Sequence, residues 1–430
     1  MKKILFLSLF LAPAMQSGAD PHRHWASYLP GFVNNVTLYN VQTAVDKHGY
    51  IYVAGNGQST IYNIMPGYDQ LMTTPGCHQD TFGGGTGNRP TDTWLSRLSP
   101  EGRLVWSTYF GGEGNDYLHS ITCDKDGNVI IVGKTLSTTG IAYGAVFQDT
   151  IDGGGAHANG FAAKFDSSGK LVWGTYYGKA EVTDVSTDPA GNVFIGGYSS
   201  SATGIATPGA YMDTLFMYER PSQPGILRTG VSHFLAKLSA SGMREWATYY
   251  AGDNAGYNSV IPTTSGGTRI GCDPYGNVYM GGIASVRFGV ATQGGYQDTL
   301  PEMMLYGQFI GQFTGQGERT SFLVKFNSAG QRIWGTYYYD PATLNTFNSQ
   351  HLTSLTVDRE GAVYIAGKAY GGGGTGFATP GAHLDVGPGD EDIFIAKFDT
   401  SGARVWGTYY GGANADIPYD MWTDRQGNLY

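Results

Sequence analysis

Charge is the first thing this chain is short of. Only 14% of its residues are Asp, Glu, Lys or Arg, and 26 basic side chains face 35 acidic ones, a formal charge of −9. With no basic stripe there is no footprint for a phosphate backbone, so nucleic acid is excluded as an expected partner. Cysteine is scarcer still, with Cys77, Cys123 and Cys272 alone in 430 residues. Cys123 ("ITCDKDGN") and Cys272 ("IGCDPYGN") hold the same place in two non-adjacent copies of a repeat, too far apart to pair. They are read as small buried residues, and no disulfide framework is expected. After the N-terminus no run is apolar enough to cross a bilayer, and none keeps the helical apolar period. Hydrolase signatures are missing as well: G-x-S-x-G, H-E-x-x-H, C-x-x-C and the sialidase Asp-box S-x-D-x-G-x-x-W do not occur. The nine His are scattered, and only His22 and His24 stand close together.

What is present points to strands. Gly accounts for 66 residues and Tyr for 30. Gly permits the positive φ of tight turns, while Tyr, Trp, Val and Ile fill pleated, half-buried surfaces. The N-terminus reads as a secretory signal peptide over residues 1–19. Lys2 and Lys3 supply its positive region, "ILFLSLFLAPAM" its apolar region, and "SGA" a small-residue cleavage site. Cleavage would remove two Lys and no acid, taking the formal charge from −9 to −11.

One phrase recurs along the rest of the chain: "LVWSTYFGG" (104–112), "LVWGTYYG" (171–178), "REWATYYAG" (244–252), "RIWGTYYYD" (332–340) and "RVWGTYYGG" (404–412). A shorter echo, "HWASYLPG", stands at 24–31. The intervals between Trp25, Trp106, Trp173, Trp246, Trp334 and Trp406 are too long for most helical solenoids. Each copy carries four elements in one order, as in "HSITCDKD", "GNVIIVGKT", "GFAAKFDSSG" and "KLVWGTYYG". Each element is a short run of strand-like character closed by Asp-Gly, Gly-Asn or Ser-Gly. Four short antiparallel strands repeated radially describe a β-propeller blade. Between the second and third elements the copies vary, often carrying "ATPGAY" (206–211) or "ATPGAH" (378–383), where Pro-Gly suits a type II turn.

The ordered set D-x-x-GN-x-Y-x-x-G, TPGA, F-x-AKFD-x-SG and VWGTYYGG resembles the SBBP-type β-propeller repeat over residues 24–430. The resemblance implies a secreted or cell-surface bacterial propeller, used for binding or attachment, and no common chemistry. The expected fold is therefore all-β. It is a propeller of four-stranded antiparallel blades, five complete and one incomplete, in a single domain over 20–430. The phrase at 24–31 lacks the three strands that should precede it, and the last copy stops in mid-strand at Tyr430. The expectation is that the N-terminal strand closes the unfinished blade and that the natural protein is longer.

Several motifs are weighed for chemistry. "DKDGN" (124–128) has the D-x-D-G opening of a calcium loop, which makes Asp124 and Asp126 the metal candidates. The closing acid is missing and other copies lack the second Asp, so a plain hairpin turn is the expected reading. "GGGGTG" (371–376) leads into "FATPGA" and not a helix, and "VGKT" (132–135) has Asn128 where a phosphate loop needs Gly. "AKFDSSGKLVW" (163–173) resembles the Trp-docking motif of pyrroloquinoline-quinone dehydrogenases. It is one residue short between Asp and Gly, and the adjacent cysteine pair is absent. No cofactor is expected.

A group present in every blade answers a demand shared by every blade, which is packing. The recurrent Trp are read as inter-blade cover. Lys164, Lys237, Lys325 and Lys397 are read as amphipathic cover with heads in water. Asp80, Asp149, Asp213, Asp298 and Asp385 are read as turn formers. Function should sit where copies differ, in the insertions 56–93, 212–232 and 300–319, expected to leave one face. Their Tyr62, Tyr68, Tyr218, Tyr306 and Phe309 are the candidate contacts for protein or glycan. The expected function is a non-catalytic surface scaffold. The alternative is a secreted polysaccharide hydrolase or lyase with acids, His or Arg converging at the propeller axis.

Overall fold

The computed structural model describes residues 36–59, 73–85, 90–153, 158–215, 217–220, 223–229, 231–250, 267–284, 289–300, 320–341, 350–370, 373–424 and 426–430. All regular structure among them is β. Five four-stranded antiparallel sheets follow one another along the chain. The first blade holds β1 (Val36–Val45), β2 (Ile51–Ser59), β3 (Thr91–Leu98) and β4 (Leu104–Phe110). The second holds β5 (Asp116–Cys123), β6 (Val129–Thr135), β7 (Asn159–Phe165) and β8 (Leu171–Tyr177). In the third, β9 (Ala180–Thr187), β10 (Val193–Ser199), β13 (Ser232–Leu238) and β14 (Arg244–Tyr250) pair in that order. A separate hairpin of β11 (Met217–Arg220) and β12 (Gln223–Thr229) is inserted in it. The fourth holds β15 (Arg269–Cys272), β16 (Val278–Ala284), β17 (Thr320–Phe326) and β18 (Arg332–Tyr338). The fifth holds β19 (His351–Val357), β20 (Val363–Tyr370), β21 (Glu391–Phe398) and β22 (Arg404–Tyr410).

The turns explain why these strands stop where they do. Asp124 Oδ1 accepts the backbone N–H groups of Asp126 and Asn128, both at 2.9 Å, and Gly127 takes φ +84° to complete the hairpin. Asp46, Asp188, Asp273, Asp358 and Asp424 cap their own hairpins through Oδ1 in the same way. A carboxylate that satisfies turn amides lets the chain reverse without an orphaned donor.

The core lies between blades. Strand β7 is buried along its whole length, because both sheet faces meet a neighbour. That is why the middle strands read as continuous apolar runs. One apolar cluster joins Leu95 and Phe110 of the first blade to Leu118, Val129 and Phe161 of the second. Others join Ile130 and Tyr177 to Val182 and Phe234, Phe194 and Tyr250 to Val278 and Phe322, and Tyr279 and Tyr338 to Val363 and Phe394. The first strands β1, β5, β9, β15 and β19 lie against one another in succession. They form the inner side, and the Trp strands β4, β8, β14, β18 and β22 form the outer edge, as the sequence predicts. Beyond β22, Trp422 and Tyr430 exchange backbone hydrogen bonds, and Met421 and Leu429 pack on Tyr364 and Ala366. The phrase at 24–31 lies outside the described residues.

Candidate functional site

Four of the recurrent Trp reach forward to the next blade. Trp106 Nε1 donates to Ser167 O at 3.0 Å, Trp173 to Ala240 O at 3.0 Å, Trp246 to Ser328 O at 3.0 Å and Trp334 to Thr400 O at 3.1 Å. Each acceptor sits in the turn between third and fourth strands of the following blade. The ring lies over that turn's glycine: a Cβ on Gly169 would stand 2.8 Å from Trp106 Cδ2, at φ +86°. Only glycine suits the position, for conformation and for space. Outer-strand arginines look backward instead. Arg244, Arg332 and Arg404 stack over Phe147, Tyr211 and Tyr296 of the preceding blades at 4.0, 4.6 and 4.6 Å.

The lysines depart from the sequence expectation, because their heads are not in water. Lys164 Nζ meets Asp124 Oδ2 at 2.8 Å and Lys325 meets Asp273 at 3.1 Å, with side chains no more than 8% exposed. Lys397 pairs with Asp358 at 3.2 Å and Lys237 with Glu245 at 2.9 Å. In Lys164, Lys325 and Lys397 antiparallel pairing brings the third-strand Lys alongside the Asp of the first hairpin, whereas Lys237 turns to Glu245 of its own outer strand. Lys237 and Lys325 even share the Trp acceptors, Ser328 O and Thr400 O.

Asp124 and Asp126 have separate partners. Asp124 Oδ2 takes Lys164 and Asn128 Nδ2, and its Oδ1 is committed to the turn. Burial pushes its carboxyl up, but the bonds from Lys164 and Asn128 outweigh that and hold it below the usual range. Asp126 is exposed and paired with Lys125 at 2.8 Å. The two acids do not converge on a common point.

The segments between second and third strands leave one end of every sheet, where the first strand begins. Their described parts then fold along the outer strand. Thr207 N–H donates to Ala247 O at 2.8 Å, Thr292 to Gly335 O at 2.9 Å and Thr379 to Gly407 O at 2.9 Å. In the Pro208-Gly209 turn Ala210 N–H reaches Thr207 O with Gly209 at φ +77°, the expected type II geometry. Asp213 and Asp298 accept the turn amides of Gly209 and Gly294 at 3.0 and 3.2 Å, as turn formers should. These segments cover an edge that would otherwise be open to pairing. Tyr62, Tyr68, Tyr306 and Phe309 lie outside the described residues, and of Tyr218 only its place in β11 is described.

On the first and second strands of the second and third blades the structure assembles a group that the sequence reading missed. Glu181 at the start of β9 holds Lys134 of β6 at 3.1 Å and His119 of β5 at 3.4 Å, across the seam between second and third blades. His119 Nδ1 stands 3.0 Å from Val182 O. Burial pushes the imidazole below its ordinary range, against the pull of Glu181. Burial and Glu181 push the Tyr198 phenol upward. Nearby, Asp184 accepts Ser120 Oγ at 2.7 Å and Ile270 N–H at 2.9 Å. Burial raises its carboxyl, opposed by the charge of Arg269. The side chains of His119, Lys134 and Glu181 remain 19, 31 and 24% exposed, enough for solvent or a ligand to reach them. Acid, base and cation thus meet where second and third blades join. No spacing in the sequence announces them; the signal was that these first- and second-strand positions differ from copy to copy.

Five four-stranded blades with interlocked seams define a β-propeller-class protein. Residues 105–139 match the SBBP beta-propeller repeat, a stretch running from the outer strand of the first blade through the first two strands of the second. That is the repeat the recurrent phrases resemble, and the other copies keep its order. No curated protein matches the chain. Among solved structures, a mutant of the Synechocystis apocarotenoid oxygenase aligns at 10% identity and TM-score 0.37, covering 93% of this chain and 66% of that one. The chain thus spans just under two thirds of that oxygenase. The Dos1 propeller aligns at 11% identity and TM-score 0.37, covering 93% of this chain and 92% of that one. Among the described residues no helix is long and apolar enough to cross a membrane.

Proposed function

We propose that the protein is an exported, cell-surface propeller that binds protein or glycan without chemistry. The observation that carries this reading is a division of labour. The repeated side chains are spent on seams, while the segments in which copies differ all leave one end of the blades. Insertions 56–93, 212–232 and 300–319 are rich in Tyr, Met, Phe, Gln and Asn, a composition suited to a contact surface. Export rests on residues 1–19, and the phrase at 24–31 would complete the last blade. The test is a glycan and surface-protein binding screen on the full chain, repeated with 300–319 shortened. Loss of a hit with the melting midpoint unchanged supports the proposal, and an unchanged hit list counts against it.

A second reading, a polysaccharide-active hydrolase or lyase, is favoured by the meeting of His119, Glu181, Lys134 and Tyr198 near the inner strands. Proton transfer needs such groups within hydrogen-bond reach of a substrate. Polysaccharide cleavage that disappears in His119→Ala, with the fold intact, would establish it.

A further inference from the structure

Two places in the fold hold a pair of carboxyl groups that no basic side chain among the described residues neutralises. At the first, Asp92 of β3 and Asp116 of β5 are both fully buried. Asp92 Oδ2 accepts Gly83 N–H at 2.5 Å, and Asp116 Oδ2 accepts Gly112 N–H at 2.8 Å and Ser137 Oγ at 2.7 Å. The second oxygen of each, Oδ1, is buried with no hydrogen-bond partner. Both groups converge on Gly111, where a Cβ would stand 2.7 Å from Asp116 Oδ2 and 2.8 Å from Asp92 Oδ1. Burial and the neighbouring Asp116 hold the Asp92 carboxyl well above its usual range.

A more open version of the arrangement recurs at the fifth blade, where Asp392 is buried and Asp416 is half-buried. Asp392 of β21 is 2% exposed; its Oδ2 accepts Gly389 N–H at 3.0 Å and its Oδ1 is buried without a partner. Asp416 Oδ2 accepts Gly412 N–H at 2.7 Å. A Cβ on Gly411 would stand 2.7 Å from Asp392 Oδ1 and 2.9 Å from Asp416 Oδ2. Both sites share one sequence frame, Asp-x-Trp/Phe with Gly-Gly-x-x-x-Asp, and the spacing from Asp92 to Asp116 equals that from Asp392 to Asp416. The other three blades place Asn159, Ser232 and Thr320 where Asp92 and Asp392 stand. Asn159 bonds Asp152 N–H and Asp152 O, both at 2.9 Å, so a neutral side chain closes the same position.

Burying one unpaired carboxylate is costly, and burying two side by side more so. Where a neutral solution exists in the same frame, paired acids with inward oxygens point to a positive ion. We propose that each pair holds a hard divalent cation of the calcium type, through Asp92 and Asp116 at one place and Asp392 and Asp416 at the other. An all-oxygen donor set suits calcium, which takes six to eight such ligands, the balance coming from water and nearby carbonyls. The ion would tie the third strand of one blade to the connection that starts the next.

The experiment is calorimetric titration of the full chain, stripped with a chelator, using calcium chloride alone. Two sites per chain are expected, with calcium at about 100 times its dissociation constant raising the melting midpoint by roughly 3 °C per site, or about 6 °C for both. Asp92→Asn should remove one site, and adding Asp392→Asn should remove both. If either variant fails to fold, the stoichiometry of the unaltered chain still decides. Absence of calcium binding, or of any calcium-dependent midpoint, overturns the proposal. So does a stoichiometry unchanged in folded Asp92→Asn. A chelated Asp92→Asn that melts higher than the parent while the parent ignores calcium would overturn it in favour of a shared proton.

Discussion

Replacing Trp173 with alanine tests the seam most sharply. The side chain is 2% exposed, donates to Ala240 O at 3.0 Å, and covers Gly242, where a Cβ would stand 2.9 Å from the indole. Truncating a buried Trp costs about 3–5 kcal/mol, from lost transfer energy and the cavity left behind. The Ala240 carbonyl also loses a donor, adding roughly 1 kcal/mol. With about 2.1 cal/mol/K of unfolding entropy per residue, a 430-residue chain loses roughly 1 °C of melting midpoint per kcal/mol. Differential scanning calorimetry should therefore show a fall of about 4–6 °C in Trp173→Ala. Trp406 is packed on Tyr364 and is only partly buried, so Trp406→Ala should fall by less. If Trp173→Ala melts within about 1 °C of the parent, the forward contact is not what holds these blades together.

Three further outcomes follow from the same geometry. Gly209→Ala, at φ +77° with open space around it, should cost only the backbone strain of about 1–3 kcal/mol in denaturant unfolding, while Gly242→Ala, at φ +87° with its methyl against the Trp173 ring, should cost more than that. Lys325→Met strands the buried Asp273 carboxylate and should cost about 3–5 kcal/mol, whereas Lys397→Met, whose side chain is 21% exposed, should cost less; equal losses would contradict the burial argument. His233 is buried between Thr268 Oγ1 and Ile283 O, and burial lowers its pKa to about 4 from an ordinary 6.5. The folded state holds it neutral while the unfolded chain protonates, so its contribution is intact above pH 6.5 and lost as pH falls towards 4, about 3 kcal/mol in all. His233→Ser, the residue at that place in the fourth blade, should flatten the stability–pH curve over that interval, and an unchanged slope would refute the assignment.

Much of the architecture was legible because each blade repeats its turn chemistry. "DKDGN" and "DSSG" mark hairpins with a local mechanism, so strand order and the outer position of the Trp phrase could be read in sequence. The destination of each Trp could not, since Trp173 and Gly242 lie a whole blade apart along the chain and only blade stacking joins them. The lysines misled for a similar reason. An exposed head is a sound reading of one amphipathic strand, but the covering turn belongs to the next blade. Glu181 and His119, on the first strands of successive blades, meet across a seam by the same stacking. Asp92 and Asp116 were closer to legible, because the frame Asp-x-Trp/Phe, followed by Gly-Gly just past the outer strand, recurs at Asp392. Only two copies carry it, so it does not stand out as part of the repeat.

The central claim is that seams consume the repeated residues and recognition belongs to the divergent segments. Hydrogen exchange of the full chain, with and without the strongest hit from the glycan and protein screen, tests it most directly. Protection on binding should concentrate in 56–93, 212–232 and 300–319 and leave the Trp strands and their facing turns unchanged. Protection centred on Ser167, Ala240, Ser328 and Thr400 would instead make the seams the recognition surface and contradict the account.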